Sequence, residues 1–263
     1  MSPNARDRAR AKRRYVKRQA NLAQRQQARR TRAQIIGASF AIVLVILGVF
    51  GLSKWTGSSN KKSTSASSAP SATPASACAK VTPATVAKPQ QFKAPPPASL
   101  AAHRSWTATV KTTCGTMTFL LDGQKAPQTV SSFIFLARKG FFDNTTCHRL
   151  TTSGLYVLQC GDPTGTGNGG PGYGFGIENA PKAGTYPAGT IAMARTSDPK
   201  SNGSQFFIVY QDSTLPTTGG GYSIFGTVTS GSQVVLDVAS GGANPQGDGA
   251  PKTPINITSV SVK

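Results

Sequence analysis

Eighteen consecutive residues without a charge, Ile35 to Leu52 (IIGASFAIVLVILGVFGL), divide this chain. A run of that length is near the lower limit for crossing a bilayer as a helix. The segments on either side then face different compartments and cannot share a core. A secretory signal peptide is the rival reading, but the run is longer than a usual signal core, and GLSKWTGSS offers no small-x-small cleavage site. An uncleaved anchor is therefore expected. Twelve Lys/Arg precede the run, against Lys54, Lys61 and Lys62 just after it. Positive charge marks the cytoplasmic side. The expectation is a single-pass cell-membrane protein with a cytoplasmic N-terminus and an extracytoplasmic C-terminal domain.

The net charge of +20 invites a nucleic-acid reading, so its location matters. Residues 1–34 hold twelve Lys/Arg against one acid, Asp7, whereas residues 104–263 hold eleven against eight. The basicity belongs to the tail. That tail has only Tyr15, Val16 and Leu22 as sizeable apolar groups, with no stripe to bury. It reads as a solvated topogenic segment, or one that meets anionic lipid headgroups, and nothing motif-like accompanies the charge to suggest nucleic acid. Residues 53–103 are rich in Ser, Ala, Thr, Pro and Lys, which predicts a flexible to semi-extended tether.

From Trp106 the pattern changes to short strands. Trp106–Thr112 and Thr116–Leu121 flank Cys114-Gly115 as a hairpin. Ala126-Pro127 opens a helix in which Val130, Phe133, Ile134 and Ala137 share one face, with Gly140 as its stop. Strands follow at Cys147–Leu150, Leu155–Cys160, Thr190–Ala194, Gln205–Tyr210 and Ser223–Val228, then a helix near Ser232–Ala239 and a closing strand at Ile255–Val262. About eight strands and two helices suit a closed antiparallel barrel, because closure removes exposed sheet edges. A sandwich has the same strand count.

Cys147–Asp162 (CHRLTTSGLYVLQCGD) is followed about forty residues later by NGSQFF at Asn202–Phe207. With the Ala126–Phe133 helix opening and the Phe225-Gly226 pair, these motifs resemble, in the same order, those of the cyclophilins. That family comprises peptidyl-prolyl cis/trans isomerases, and the resemblance covers roughly Arg104 to Lys263. It implies a mainly β fold, a closed eight-stranded antiparallel barrel capped by two helices, acting on proline-containing polypeptides as a monomeric domain without a cofactor. Arg149 falls at the family's catalytic arginine and Gln159 at its substrate-orienting glutamine. Phe207 matches the pocket floor, and Ala194, Gln205 and Leu215 match other substrate positions. Tyr156, Val157, Arg195 and Tyr222 stand where an aromatic, a methionine, an asparagine and a histidine are usual, and Thr214 falls near a frequent tryptophan. The function implied is proline-limited folding of exported proteins at the outer membrane face. The alternative is a cyclophilin scaffold that binds proline segments without turnover.

Gly167–Gly172 (GNGGPG) matches the dinucleotide signature formally but lacks its strand-and-helix setting, so a tight or mobile loop is expected. His103 and His148 are the only histidines and no Cys/His cluster accompanies them, which argues against a metal site. Four cysteines permit three pairings of two disulfides. Cys147 and Cys160 are equidistant from the hairpin apex at Ser153-Gly154, which favours their pairing and leaves Cys78 for Cys114. Strand parity opposes it. If Arg149 and Gln159 share a face, Cys147 and Cys160 point to opposite sides unless a bulge intervenes.

Overall fold

The computed structural model describes Cys78, residues 81–86 and residues 88–263. The basic tail, the apolar run and the first part of the linker lie outside the described residues. Among the described residues no helix is long and apolar enough to cross a membrane.

Alternation from Trp106 onward produces a hairpin of β1 (Ser105–Thr112) and β2 (Gly115–Asp122), in register from Ser105 against Asp122 to Thr112 against Gly115. Trp106, Ala108 and Val110 are buried from β1, and Met117, Phe119 and Leu121 from β2. This is the period of two that a half-buried strand requires. Helix α1 (Pro127–Arg138) follows, with Pro127 at its first turn, where the missing N–H has no partner to lose. The next two N–H groups, of Gln128 and Thr129, donate to the Glu178 carboxylate at 3.0 and 2.8 Å. A distant acid thus caps the helix and meets its positive end.

The remaining elements are β3 (Thr145–Thr146), β4 (Arg149–Thr152), β5 (Tyr156–Cys160), β6 (Thr185–Tyr186), β7 (Thr190–Met193), β8 (Phe206–Val209), β9 (Ser213–Thr214), β10 (Ile224–Ser230), α2 (Gln233–Ser240), β11 (Ala243–Asn244), β12 (Asp248–Pro251) and β13 (Asn256–Val262). Eleven strands form one curled sheet in the order β11-β12-β4-β5-β8-β7-β10-β2-β1-β13-β3, and β6 pairs separately with β9. The fold is mainly β with two helices. The expected closed ring of eight strands is not the observed ladder, whose ends, β11 and β3, are not paired with each other. Two causes account for the difference. The hairpin β11–β12 adds itself beyond β4, and the segment from Thr145 to Thr152 changes partner midway. β3 pairs with β13, whereas β4 pairs with β5 and β12.

The core is built around five phenylalanines from four elements and a loop: Phe119, Phe133, Phe142, Phe206 and Phe225. Their paired ring centroids lie 5.1 to 6.5 Å apart, in tilted or edge-on contacts. Helix α1 presents Val130, Phe133, Ile134 and Ala137 to this core, but Ser131 and Ser132 are buried too. Ser132 Oγ meets the Tyr173 hydroxyl at 2.9 Å, whereas the cover of Ser131 comes from residues 81–103, which composition alone assigns to the tether. Ser131 Oγ donates to Ala98 O and accepts from Ala101 N, Gln128 Nε2 donates to Pro96 O, and Phe92 meets Phe135 edge-on at 4.9 Å. Further back, Asn256 holds both Ala84 N and Thr82 O, and Val86 N donates to Pro163 O. The segment is a strap on the domain, because these polar backbone groups find partners there that composition cannot reveal.

Both disulfides, Cys78–Cys114 and Cys147–Cys160, are formed. The parity conflict is resolved at Cys147 and His148, which belong to no strand, and Cys147 N donates to Ile255 O rather than across to β5. The break between β3 and β4 supplies the irregularity that cross-strand pairing needs. Cys78–Cys114 anchors the strap across a sequence separation of 36. Closing such a loop is worth about 3 to 4 kcal/mol in chain-entropy terms. Cys78→Ser is therefore expected to lower Tm by about 10 °C and to make residues 81–103 the first site of limited proteolysis. A variant with unaltered Tm and unaltered cleavage would show that the strap is held without its disulfide.

Candidate functional site

Three antiparallel registers bring the site together. Arg149 on β4 stands opposite Gln159 on β5, Gln159 opposite Phe207 on β8, and Phe207 opposite Ala192 on β7. By alternation, Val157, Gln159, Phe207, Val209 and Ala192 share one face of these strands, while Leu158, Cys160, Phe206, Ile208 and Ile191 fill the main core behind them. A three-strand wall thus separates the core from a second, smaller apolar cluster.

That cluster comprises Val157, Tyr186, Ala192, Phe207, Val209 and Leu215, edged by the half-buried Ala194 and Tyr222. Phe207 meets Tyr222 edge-on at 5.7 Å and Tyr186 at 6.3 Å. The Tyr186 hydroxyl accepts from Tyr222 N at 2.8 Å and donates to Tyr222 O at 3.1 Å, which fixes the Tyr222 backbone. Burial pushes the Tyr186 phenol up. Arg195 lies 5.1 Å from the Tyr222 ring centre and donates to the carbonyls of Gly221, Thr196 and Thr218.

The polar half is a chain of oriented amides. Gln205 Nε2 donates to Gly167 O and Gly169 O, both at 2.9 Å. With two carbonyls on that side, only one orientation of the amide is satisfied. Gln205 Oε1 therefore accepts from Gln159 Nε2 at 2.9 Å, and Gln159 Oε1 accepts from Arg149 Nη1 at 3.1 Å. Arg149 Nε and Nη2 donate to the two oxygens of Asp248 at 2.7 and 2.8 Å. This paired contact with Asp248 raises the guanidinium pKa and lowers that of the carboxyl.

The loop that orients Gln205 is itself wound on Asp162. Thr164 N and Oγ1 donate to one carboxylate oxygen, at 2.7 and 2.8 Å, and Gly167 N and Gly169 N to the other, at 2.6 and 3.1 Å. Burial pushes the Asp162 carboxyl up, but these four donors prevail and hold it below the usual range. The sequence GNGGPG is thus a tight turn around an acid, following the antiparallel strand β5. His148 lies against this loop with both ring nitrogens buried and unbonded. Burial lowers its pKa, Asp162 opposes that shift, and Arg149 adds to it. Among the described residues, no three His, Cys, Asp or Glu come together to hold a metal.

A cleft of about 650 Å³ opens beside the amide chain, lined by Gln159, Gln205, Ala194, Arg195 and the glycine loop. The structure brings together nine of the ten candidates read from sequence. Tyr156 is the exception. It takes the opposite face of β5 from Val157 and Gln159 and packs edge-on to Tyr210 at 5.9 Å. Thr214, expected near a pocket-wall tryptophan, is exposed on β9, so it contributes no bulk to the cluster. Two residues escape sequence reading. Asp248 is 99 residues from Arg149, on a short strand with no pattern of its own, and Tyr186 sits on a two-residue strand between turns.

Chemically, the arrangement is a fixed cationic donor and a small apolar cluster, with oriented amides between them. The model of the "Cyclophilin type peptidyl-prolyl cis-trans isomerase/CLD" family matches residues 107–262. A protein of Mycobacterium tuberculosis described as a probable peptidyl-prolyl cis-trans isomerase B is 48% identical over 160 residues, 56% of this chain and 51% of that one. Peptidyl-prolyl cis-trans isomerase B of Bacillus subtilis is 40% identical over 123 residues, 47% of this chain and 82% of that one. This chain spans about half the length of its mycobacterial relatives. Among solved structures, a cyclophilin-type isomerase of Cryptosporidium parvum superposes with a TM-score of 0.53 at 30% identity, covering 61% of this chain and 98% of that one. The same relative has been solved in the presence of the dipeptide Ala-Pro, at a TM-score of 0.52 and 31% identity, covering 60% of this chain and 98% of that one. From the motif order, the geometry and the family match together, the chain belongs to the cyclophilin-type peptidyl-prolyl cis-trans isomerase family.

Proposed function

We propose that residues 104–263 catalyse cis/trans isomerisation of X-Pro bonds in proteins exported across the membrane, with the domain held at the outer face by the Ile35–Leu52 run. The observation that carries the catalytic reading is the Arg149 guanidinium, fixed by Asp248 and Gln159 and separated from Phe207 by Gln159 alone in the strand register.

An X-Pro amide prefers trans by about 0.5 to 1 kcal/mol, yet its rotation barrier is about 18 to 20 kcal/mol. Partial double-bond character is the whole obstacle. A donor aimed at the prolyl nitrogen stabilises the pyramidal nitrogen that appears as conjugation is lost, and a fixed donor in a water-poor site needs no reorganisation. Asp248 takes Nε–H and one Nη2–H, and Gln159 takes one Nη1–H. One N–H on each terminal nitrogen remains for the substrate. Phe207, Val157, Leu215 and Tyr222 grip the ring, and the second Nε2–H of Gln159 is free to hold a substrate carbonyl. The Ala-Pro dipeptide present with the Cryptosporidium relative supports the same substrate class. Such catalysis shortens steps that otherwise take tens of seconds. The exported setting is supported by the two disulfides, which persist in oxidising compartments.

Arg149→Ala is expected to lower kcat/KM in a protease-free prolyl isomerisation assay by about 10² to 10³, the loss typical of one well-aimed donor. Stability should hardly change, since the half-exposed Arg149–Asp248 pair contributes at most about 1 kcal/mol. Full activity in a folded variant would remove Arg149 from the mechanism, whereas a parent domain that binds proline peptides without turnover would favour the binding scaffold. His148 sets a pH limit. Its unfolded pKa is near 6.5 and its folded value lower, so the unfolded state binds more protons between the two. That stabilisation is complete above about pH 6.5 and is lost as pH falls from there through the folded pKa. Tm should therefore be level above neutrality and fall toward pH 5, and His148→Gln should flatten the slope. The depressed Asp162 and Asp248 carboxyls act in a separate, more acidic window, below about pH 4. On topology, protease added to intact cells is expected to release a soluble isomerase domain, and complete protection would place it on the cytoplasmic side.

A further inference from the structure

We propose that Gln91, carried by the strap that precedes the family domain, is a specificity-determining residue that selects substrates with a hydrogen-bond-donating side chain next to the X-Pro pair. The inference rests on the isomerase reading and assigns a role to a residue outside the family match, which begins at residue 107.

Gln91 lines the same 650 Å³ cleft as Gln159 and Gln205. Its Nε2 donates to Gly170 O at 2.9 Å and to Gln90 O at 3.0 Å. Two carbonyls on one side fix the amide, so Oε1 must face the other way. No donor of the described residues reaches that oxygen. It lies against Gly172, where an added Cβ would come within 2.8 Å. The strap is held here by Phe92 N, which donates to Pro171 O, and by the Phe92–Phe135 contact.

Three other polar side chains of the cleft wall are engaged within the protein. Gln205 Nε2 serves two carbonyls, one Gln159 Nε2 hydrogen serves Gln205, and Arg195 serves three backbone carbonyls. Beside these donors, the Gln91 carboxamide oxygen is an acceptor that no donor of the described residues engages. Burying an acceptor-only group against that oxygen leaves it unpaired, whereas a hydroxyl or carboxamide of the substrate satisfies it. Arg195, which forms no ion pair among the described residues, disfavours a lysine as the donor. The ligand class is therefore a neutral donor: Ser, Thr, Asn or Gln.

The test uses the full chain and peptides that differ only in one flanking residue, Gln against Met and Thr against Val, at each of the two positions on either side of the X-Pro pair. The readout is the ratio of kcat/KM for donor over apolar peptide. In the parent protein one position should show a ratio of about two to ten, the worth of one neutral hydrogen bond, and Gln91→Ala should bring it to near one. Phe92→Ala, which loosens the strap, should lower it as well. Gln90→Ala removes only the bond to Lys139 O and should leave the ratio intact. Turnover with a ratio of one at every position, or a ratio that survives Gln91→Ala in the folded protein, overturns the inference while leaving the isomerase reading in place. Absence of turnover on every peptide overturns the isomerase reading itself.

Discussion

The chain of amides at this site, from Gln205 through Gln159 to Arg149, is oriented at its far end by the Asp162 carboxylate. A fully buried ion is costly unless donors surround it. Here the donors come from its own loop, at Thr164, Gly167 and Gly169. Turning those N–H groups inward turns the Gly167 and Gly169 carbonyls outward, and these select one orientation of Gln205. That choice passes through Gln159 to Arg149. No member of the series is free to rotate without breaking its neighbour's bond, which is what preorganisation means in this protein. Glycine is required at 169 for a related reason. Its N–H must approach the acid so closely that an added Cβ would collide with Asp162 Oδ1.

The guanidinium at the end of the series is gripped from both sides, by an amide fixed to the loop and by Asp248 on β12. Asp248 exacts a compromise. It screens part of the positive charge that the proposed reaction would use, yet it converts a long, flexible side chain into an oriented one. For a reaction with no bond to break, geometry is the scarcer resource, because the developing lone pair on the prolyl nitrogen has one direction. The β11–β12 hairpin that enlarges the sheet beyond eight strands is thus also the element that aims Arg149.

What sequence reading recovers here is local. The β1–β2 hairpin, helix α1 with Pro127 at its start, and β5 all follow from periodicity and punctuation within ten or so residues. The family motifs bring Arg149, Gln159, Gln205 and Phe207 with them. Features that depend on pairing at long range are not legible. Strands β6, β9 and β11 are two residues each, defined by their partners rather than by any pattern of their own. The placement of Tyr156 misleads because alternation decides which of two adjacent candidates, Tyr156 or Val157, faces the pocket, and that choice needs the register. The Cys147–Cys160 bridge defeats parity for the opposite reason, since the strand that parity assumes is interrupted at His148.

The strap shows most clearly why composition and structure part company. A segment rich in Ser, Ala, Pro and Lys cannot fold by itself, because it buries too little apolar surface to offset its ordering entropy. Helix α1, however, has two faces to bury and the sheet covers one. Ser131 and Phe135 on the other face need partners, and the strap supplies them with Ala98 O, Ala101 N and the Phe92 ring while gaining partners for its own backbone. The site residue Gln205 and the strap residue Gln91 end up holding the same glycine loop, from Gly167 to Gly170, from two sides. The Cys78–Cys114 bridge ties this strap to the first hairpin, so the segment that precedes the family domain meets both the hairpin and the loop that orients the amides.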